Sequence, residues 1–199
     1  MYERVLGEEF DRLDPRLQEY FRAIPDASIG VGTGIYEVAG SRLRLLRPVL
    51  ALTARRNVLF PEFGRGVPFT VTNAPGVDGT LSAVRTFDFP GRTRIMEDTM
   101  SVVDGGLVDR LGKRRGLEVG IRLAVVDGGM RMTSTRLALR VAGRRVPLPR
   151  VATIHLDERI DVADPMRQRV DVRIVAPILG EIFRYTGTFT YERRSATAR

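Results

Sequence analysis

The sequence predicts a mainly β protein, an antiparallel meander that forms a barrel or half-barrel with N-terminal helices over one opening. Two observations lead to this prediction. From about Val67 to Glu192, runs of strand length follow one another, with apolar and polar residues often alternating. Short stretches rich in Gly, Asp and Pro separate these runs, as they do between neighbouring antiparallel strands. So many consecutive strands curl into a barrel or split into a sandwich.

Residues 2–24 are predicted to be helical, because apolar side chains recur at helical spacing through them. Asp14 followed by Pro15 matches an N-cap with proline in the first helical position, so we expect two short helices rather than one. Pro25 ends the segment.

A strand is expected from Ser28 to Val38, where Gly30, Gly32 and Gly34 alternate with larger residues. All three glycines then lie on one face. The spacing differs from that of a phosphate-binding loop, which opens a helix. We expect this bare face to let a helix or a ligand approach the backbone.

A second helical segment is predicted over residues 41–60, capped by Ser41 and kinked at Pro48. It has an apolar side (Leu43, Leu46, Val49, Leu50 and Leu52) and a basic side (Arg42, Arg44, Arg47, Arg55 and Arg56). We interpret it as a helix packed over the barrel opening with solvated arginines. Binding to an anionic membrane surface is the open alternative.

The remaining strands are predicted from turn signals between apolar runs. They lie near residues 67–74, 79–89, 92–103, 106–112, 117–127, 129–142, 151–163, 167–176 and 181–192. The expected architecture is lipocalin-like or calycin-like, and the whole chain, residues 1–199, is expected to form one domain.

Composition excludes several classes of function. The chain has no cysteine and one histidine, His155, so we predict no disulfide, thiol nucleophile, metal or other cofactor. The net charge of +8 comes almost entirely from arginines spread along the chain, so no nucleic-acid partner is predicted. No secretory or membrane-spanning pattern stands out, and a cytoplasmic location is expected.

Several segments resemble the bacterial family known as domain of unknown function 4166. They are Arg85-Thr86-Phe87, Gly106–Gly112, Val146-Pro147-Leu148-Pro149, Val170–Ile174, Pro177–Gly180 and Tyr185–Phe189. Relatives tend to carry a tryptophan near Val84, which this chain lacks. The resemblance supports the single-domain interpretation and implies no activity.

The candidate site consists of charged residues on otherwise apolar strand faces. Arg85 shares its face with Leu81, Ala83 and Phe87. Asp98 and Arg94 share theirs with Met96 and Met100, and Glu158 lies on the face of Ile154 and Leu156. A buried ion must pair or contact water or a ligand, so this pattern predicts either an internal ion-pair network or an apolar cavity with a small polar cluster.

Aromatic residues complete the predicted interior. Tyr185 lies on one face of the last strand with Phe183, Phe189 and Tyr191, and Tyr36 is similar in kind. Aromatics at this spacing are typical of a core, but Tyr36 and Tyr185 are also candidate ligand contacts. His155 shares the polar face of its strand and is expected to be solvated.

The sequence leaves three functional hypotheses open. The first is cofactor-independent binding of an apolar or amphipathic small molecule, through Arg85, Arg94, Met96, Asp98, Met100, Glu158, Tyr36 and Tyr185. The second is a cofactor-free cyclase- or isomerase-type enzyme for a hydrophobic substrate. There Glu158 or Asp98 would move a proton, Arg85 would hold an oxyanion and Tyr185 would assist. The third is peripheral membrane association. Oligomeric state is not predicted.

Overall fold

The computed structural model describes residues 1–196, and its strands form a closed antiparallel barrel. In chain order the strands are β1 (Ser28–Gly40), β2 (Phe63–Pro75), β3 (Leu81–Phe89), β4 (Arg92–Val103), β5 (Gly106–Leu111), β6 (Leu117–Val126), β7 (Gly129–Val141), β8 (Arg144–Leu148), β9 (Thr153–Ile160), β10 (Gln168–Ala176) and β11 (Gly180–Ser195). Each strand pairs with the next except at β8, and β1 pairs with β11. The predicted meander barrel is therefore confirmed in its fully closed form.

β8 was not predicted as a strand. It forms a hairpin with β7 outside the barrel, while β7 pairs with β6 and β9 to continue the wall. Arg145 of β8 bonds to the buried Glu118 at 2.6 Å, which fixes the hairpin against the outer surface. The strand predicted over residues 129–142 was not continued into a hairpin, because Pro147 and Pro149 indicate a turn or an edge rather than a strand.

The N-terminal helices close one end of the barrel. They are α1 (Tyr2–Leu6) and α2 (Pro15–Phe21), joined by a 3-10 helix over Gly7–Arg12. The prediction of two helices broken at Asp14 is confirmed, since the Asp14 side chain accepts a hydrogen bond from Arg16 N at 2.9 Å. Apolar side chains from this segment pack into the barrel end against Met100, Leu107 and Met130.

The second helical segment is much shorter than predicted. After a 3-10 turn at Arg44–Leu46, the helix α3 spans only Arg47–Ala54. Pro48 lies in the first turn of α3, where a backbone N–H has no partner within the helix. The proline therefore starts the helix instead of kinking it. Ser41 does not cap α3, although its Oγ accepts a hydrogen bond from Leu43 N at 3.2 Å.

The opposite end of the barrel is filled by an aromatic cluster. Phe60, which follows α3, packs edge-on against Phe87, Phe89 and Phe183 at centroid distances of 4.8–5.4 Å. Tyr36 stacks on Phe69 at 3.7 Å. Each end of the barrel is therefore closed by side chains from a different helical segment. No helix among residues 1–196 has the length and hydropathy to cross a membrane.

The glycine face of β1 is occupied by neighbouring strands rather than by a helix or a ligand. A Cβ on Gly34 would overlap the Thr188 carbonyl oxygen and lie 2.7 Å from Phe189 Cβ. On Gly32 it would lie 2.6 Å from Val71 Cγ1. The predicted close approach to this face is thus confirmed, but neighbouring strands make it and not the expected helix or ligand. The bare face leaves room for side chains of β2 and β11 to pack close to the β1 backbone.

We predict that Gly34→Ala destabilises the barrel by several kcal/mol, because the new methyl group overlaps backbone that cannot move independently. Gly106→Ala is the matched control, since its Cβ would meet only Val103 O at 3.7 Å. Thermal unfolding followed by circular dichroism measures both. Equal stability of the two variants would contradict this account of β1.

Candidate functional site

Arg85, Asp98 and Glu158 lie inside the barrel as predicted, and the first two form an ion pair. Arg85 on β3 and Asp98 on β4 face the interior from adjacent strands and are joined by a hydrogen-bonded ion pair. Burial alone lowers the pKa of Arg85, but the attraction of Asp98 outweighs this and raises it, so Arg85 stays charged. The ion pair engages Arg85 Nη1, so an oxyanion held by Arg85, as in the enzyme hypothesis, would share the guanidinium with Asp98.

A further carboxyl group, that of Asp109 on β5, lies beside this pair. The sequence analysis did not identify it. It pairs with Met100 in the β4–β5 register, so it faces the same side as Asp98. Burial and the negative charge of Asp98 raise the pKa of Asp109 well above its usual range. The signal was available, because Asp109 shares parity with the apolar Leu107 and Leu111.

Glu158 on β9 lies nearby, and its pKa is raised. It is buried, and burial raises its pKa to about 7 against the opposing charge of Arg85. Within the described chain, Glu158 Oε2, Asp98 Oδ1 and Asp109 Oδ1 are buried and have no hydrogen-bond partner. Such atoms need water or a ligand, because an unpartnered buried polar atom costs about 1–3 kcal/mol.

Arg85, Asp98 and Asp109 line a chamber inside the barrel. The chamber is small because side chains fill most of the barrel. The inner chamber has a volume of about 80 Å³ and contains Arg85, Asp98 and Asp109 in its wall. The remainder of the wall is mainly apolar and includes Leu59, Met96, Met100, Met132, Ile154 and Leu156, with Tyr185. A volume of this size holds a few water molecules or a small head group, but it is below the roughly 150 Å³ that accommodates a benzene ring.

The chamber adjoins a pocket at the N-terminal end. A narrow space of about 30 Å³, the neck, lies between Glu158, Arg85 and Asp98 on its inner side and Tyr2 and Tyr20 on its outer side. Tyr2 and Tyr20 also line an outer pocket of about 420 Å³, together with Phe21, Ile24, Asn73, Pro75, Val77, Leu81 and Tyr191. The outer pocket, the neck and the chamber therefore form a series with shared walls.

Aromatic side chains from the N-terminal helices separate the outer pocket from the polar cluster. Tyr2 and Tyr20 each pack edge-on against Phe21 with centroids 4.8 Å apart, and Tyr20 packs against Tyr191 at 4.6 Å. Tyr2 Oη donates to Met100 Sδ at 3.2 Å. This arrangement could not be predicted from the sequence, because it depends on how the helices dock on the barrel.

Of the other candidate residues, Arg94 and Tyr36 fall outside the chamber, whereas Tyr185 lines it. Arg94 forms a bidentate ion pair with Glu62 at 2.6 and 2.7 Å near the aromatic end. Tyr36 is fully buried in the aromatic core and lines neither the chamber nor the neck. Tyr185 does line the chamber, and burial raises its pKa to about 12, so it is protonated at neutral pH. His155 is exposed, as expected.

Fold and site together define a closed β-barrel protein with a polar cluster enclosed in its interior. A family model described as a domain of unknown function, DUF4166, matches residues 13–189, and the chain belongs to this family. The chain is also similar to a Bacillus subtilis (strain 168) protein described as "Uncharacterized protein YndH", with 29% identity over 92% of this chain and 93% of that protein. The family resemblance seen in the sequence is thus confirmed.

We predict that Arg85→Met lowers the free energy of unfolding by about 3–5 kcal/mol, because it leaves the Asp98 charge buried without its partner. The double variant Arg85→Met/Asp98→Leu removes both charges and should recover most of this loss. Urea denaturation of the wild type, Arg85→Met, Asp98→Leu and the double variant measures the coupling. A double variant as unstable as the sum of its single changes would contradict a direct pair.

A second prediction concerns pH. Between pH 4.5, where a glutamate ordinarily titrates, and about 7, the folded protein holds a proton on Glu158 that the unfolded chain has lost. The contribution of Glu158 to the free energy of unfolding therefore falls as pH rises through this window, by about 3 kcal/mol in full. Glu158→Gln should flatten this slope and be more stable than the wild type at about pH 8. Urea denaturation across the window checks this, and an unchanged slope would contradict it.

Proposed function

We propose that the protein binds a small apolar or amphipathic molecule without a cofactor, with its polar end in the chamber and its apolar part in the outer pocket. The observation that carries this proposal is the set of unpartnered oxygens on Asp98, Asp109 and Glu158 beside the chamber and the neck, which shares wall residues with the outer pocket. Buried polar atoms aimed into an apolar cavity are the usual make-up of a small-molecule site.

The cavity volumes restrict how such a ligand would lie. The chamber alone is too small for a drug-sized molecule, whereas the outer pocket of about 420 Å³ falls within the usual range for one. An elongated ligand that passes the neck would use both spaces. Its passage requires Tyr2, Tyr20 and Phe21 to shift, and all three lie on the short N-terminal helices.

The charges around the chamber favour one kind of polar end. Three carboxyl groups face one arginine there, and the unpartnered atoms are all carboxyl oxygens. A head group that donates hydrogen bonds, such as an amine or a hydroxyl, satisfies these oxygens. A carboxylate head would add negative charge next to Asp98 and Asp109 and should be disfavoured.

Native mass spectrometry of freshly purified protein tests the proposal directly. A co-purified molecule of a few hundred daltons, released on denaturation, is the expected result. Displacement of the apolar dye N-phenyl-1-naphthylamine by alkyl amines, alcohols and carboxylates of equal chain length then tests the head group. No bound mass and no dye binding would overturn the proposal.

Val77→Glu places a charge in the outer pocket and should weaken binding of the dye or of an alkyl amine by about tenfold, since an apolar contact there contributes about 1.5 kcal/mol. Val77 is 83% exposed, so the fold should tolerate the change. Val162→Glu is the matched control, because Val162 is 92% exposed and lines none of these cavities. Equal loss in both variants would place the ligand elsewhere.

A second candidate function is acid–base catalysis, favoured by the pKa of about 7 at Glu158 and its unpartnered oxygen in the neck. A group with this pKa can take up and release a proton near neutral pH, as a cofactor-free isomerase or cyclase requires. Incubating the co-purified molecule with protein in D₂O and following deuterium uptake by NMR tests this candidate. Exchange should require Glu158 and be lost in Glu158→Gln, whereas a carrier would bind without exchange.

A further inference from the structure

The barrel end opposite the N-terminal helices is covered by a segment whose charged residues are all basic. Residues 41–60, here called the basic cap, contain five arginines and no Asp or Glu. They include α3, and Phe60 at their end packs into the aromatic core. The basic cap is therefore fixed to the barrel at one end while its charged side faces solvent.

Part of the apolar side of the basic cap is exposed, contrary to the expectation that it packs on the barrel, and Leu45 beside it is exposed too. Leu50 is buried, but Leu45 is 77% exposed and Val49 and Leu52 are each 59% exposed. In α3 only the Leu50 side reaches the barrel because the helix is short and is held by residues Asn57–Phe60 that follow it. Three large apolar side chains thus project from a surface rich in arginine.

The arginines around these side chains are uncompensated. Arg44, Arg47, Arg55 and Arg56 are exposed and, in the described part of the chain, form no ion pair. Elsewhere on the barrel, arginines such as Arg94 and Arg145 are paired with carboxylates. The basic cap therefore presents positive charge that no ion pair among residues 1–196 neutralises.

A cleft concentrates this charge next to the exposed apolar residues. It has a volume of about 340 Å³ and is lined by Arg55, Arg56 and Leu52 of the basic cap and by Lys113 and Arg114 of the β5–β6 turn. A backbone hydrogen bond from Lys113 N to Arg56 O at 2.9 Å joins the two elements, and a second, from Glu97 N of β4 to Asn57 O at 3.0 Å, holds the basic cap on the barrel wall. The cleft is thus built from two elements that are fixed relative to each other.

We propose that the basic cap docks this end of the barrel on an anionic lipid bilayer, with Leu45, Val49 and Leu52 at the acyl boundary and a lipid phosphate in the cleft. Apolar side chains surrounded by arginine are the composition that lies in the plane of an anionic membrane surface. Nucleic acid would engage the arginines equally, but it would gain nothing from the three exposed apolar side chains. Leu59 of the same segment lines the inner chamber, so docking would bring the bilayer close to the proposed ligand site.

Co-sedimentation with vesicles tests this proposal. The full chain should bind vesicles that contain phosphatidylglycerol at low salt, should not bind phosphatidylcholine alone, and should lose most binding when salt rises from about 0.05 M to about 0.5 M. Val49→Glu/Leu52→Glu should weaken binding at least tenfold. Val162→Glu/Ile178→Glu adds the same charge at residues that are 92% and 95% exposed elsewhere, and it should bind nearly as the wild type does.

Charge reversal separates the cleft from the overall positive charge. Arg55→Glu/Arg56→Glu should abolish binding, while Arg122→Glu/Arg144→Glu, an equal change in net charge on exposed residues of β6 and β8, should reduce it only slightly. Absence of binding at low salt, or equal losses in both pairs, would overturn the proposal. So would duplex DNA binding that matches vesicle binding and survives Val49→Glu/Leu52→Glu, since the basic cap would then be a nucleic-acid surface.

Discussion

The ion pair between Arg85 and Asp98 is the constraint on which the interior of this barrel depends. Two charges on adjacent strands can enter an apolar core only if they meet, so β3 and β4 must keep the register that pairs Ala83 with Asp98 and Arg85 with Met96. A one-residue slip of β4 against β3 would send Asp98 and the apolar set of β4 to the other face and leave Arg85 inside without its partner. The pair therefore helps to fix register while it carries polarity into the core.

The same pair explains why a chamber persists in a barrel that is otherwise filled. Hydrophobic residues could pack the space closed, but Asp98, Asp109 and Glu158 keep oxygens that apolar neighbours cannot satisfy. Space for water or a ligand then costs less than closing the wall over unpartnered oxygens. The polar cluster and the cavity are thus two aspects of one arrangement, and the ligand-binding proposal rests on it.

How far the sequence predicts this molecule depends on the range of each interaction. Alternation within a strand reports which way a side chain points, so the interior location of Arg85, Asp98 and Glu158 followed from parity. The start of α2 at Asp14-Pro15 was also predicted from a local signal, and it is confirmed. Parity could equally have identified Asp109, which shares its face with Leu107 and Leu111.

Features that depend on docking could not be predicted in this way. The neck exists because Tyr2 and Tyr20, far apart in sequence from Glu158, pack over the barrel end. The exposure of Val49 and Leu52 also reflects tertiary packing, since a periodic pattern cannot show how much of a short helix reaches the core. Arg94 shares a face with Met96 and Asp98 but lies further along β4, where Glu62 engages it. Tyr36 lies on β1, which lines neither the chamber nor the neck, and it stacks on Phe69.

A high-resolution crystal structure of protein purified without lipid extraction tests the central claim most directly. The account predicts ordered density that is not protein within hydrogen-bond distance of Asp98 Oδ1 or Glu158 Oε2 and continues through the neck toward the outer pocket. Side chains that close the chamber and supply partners to both oxygens would contradict it.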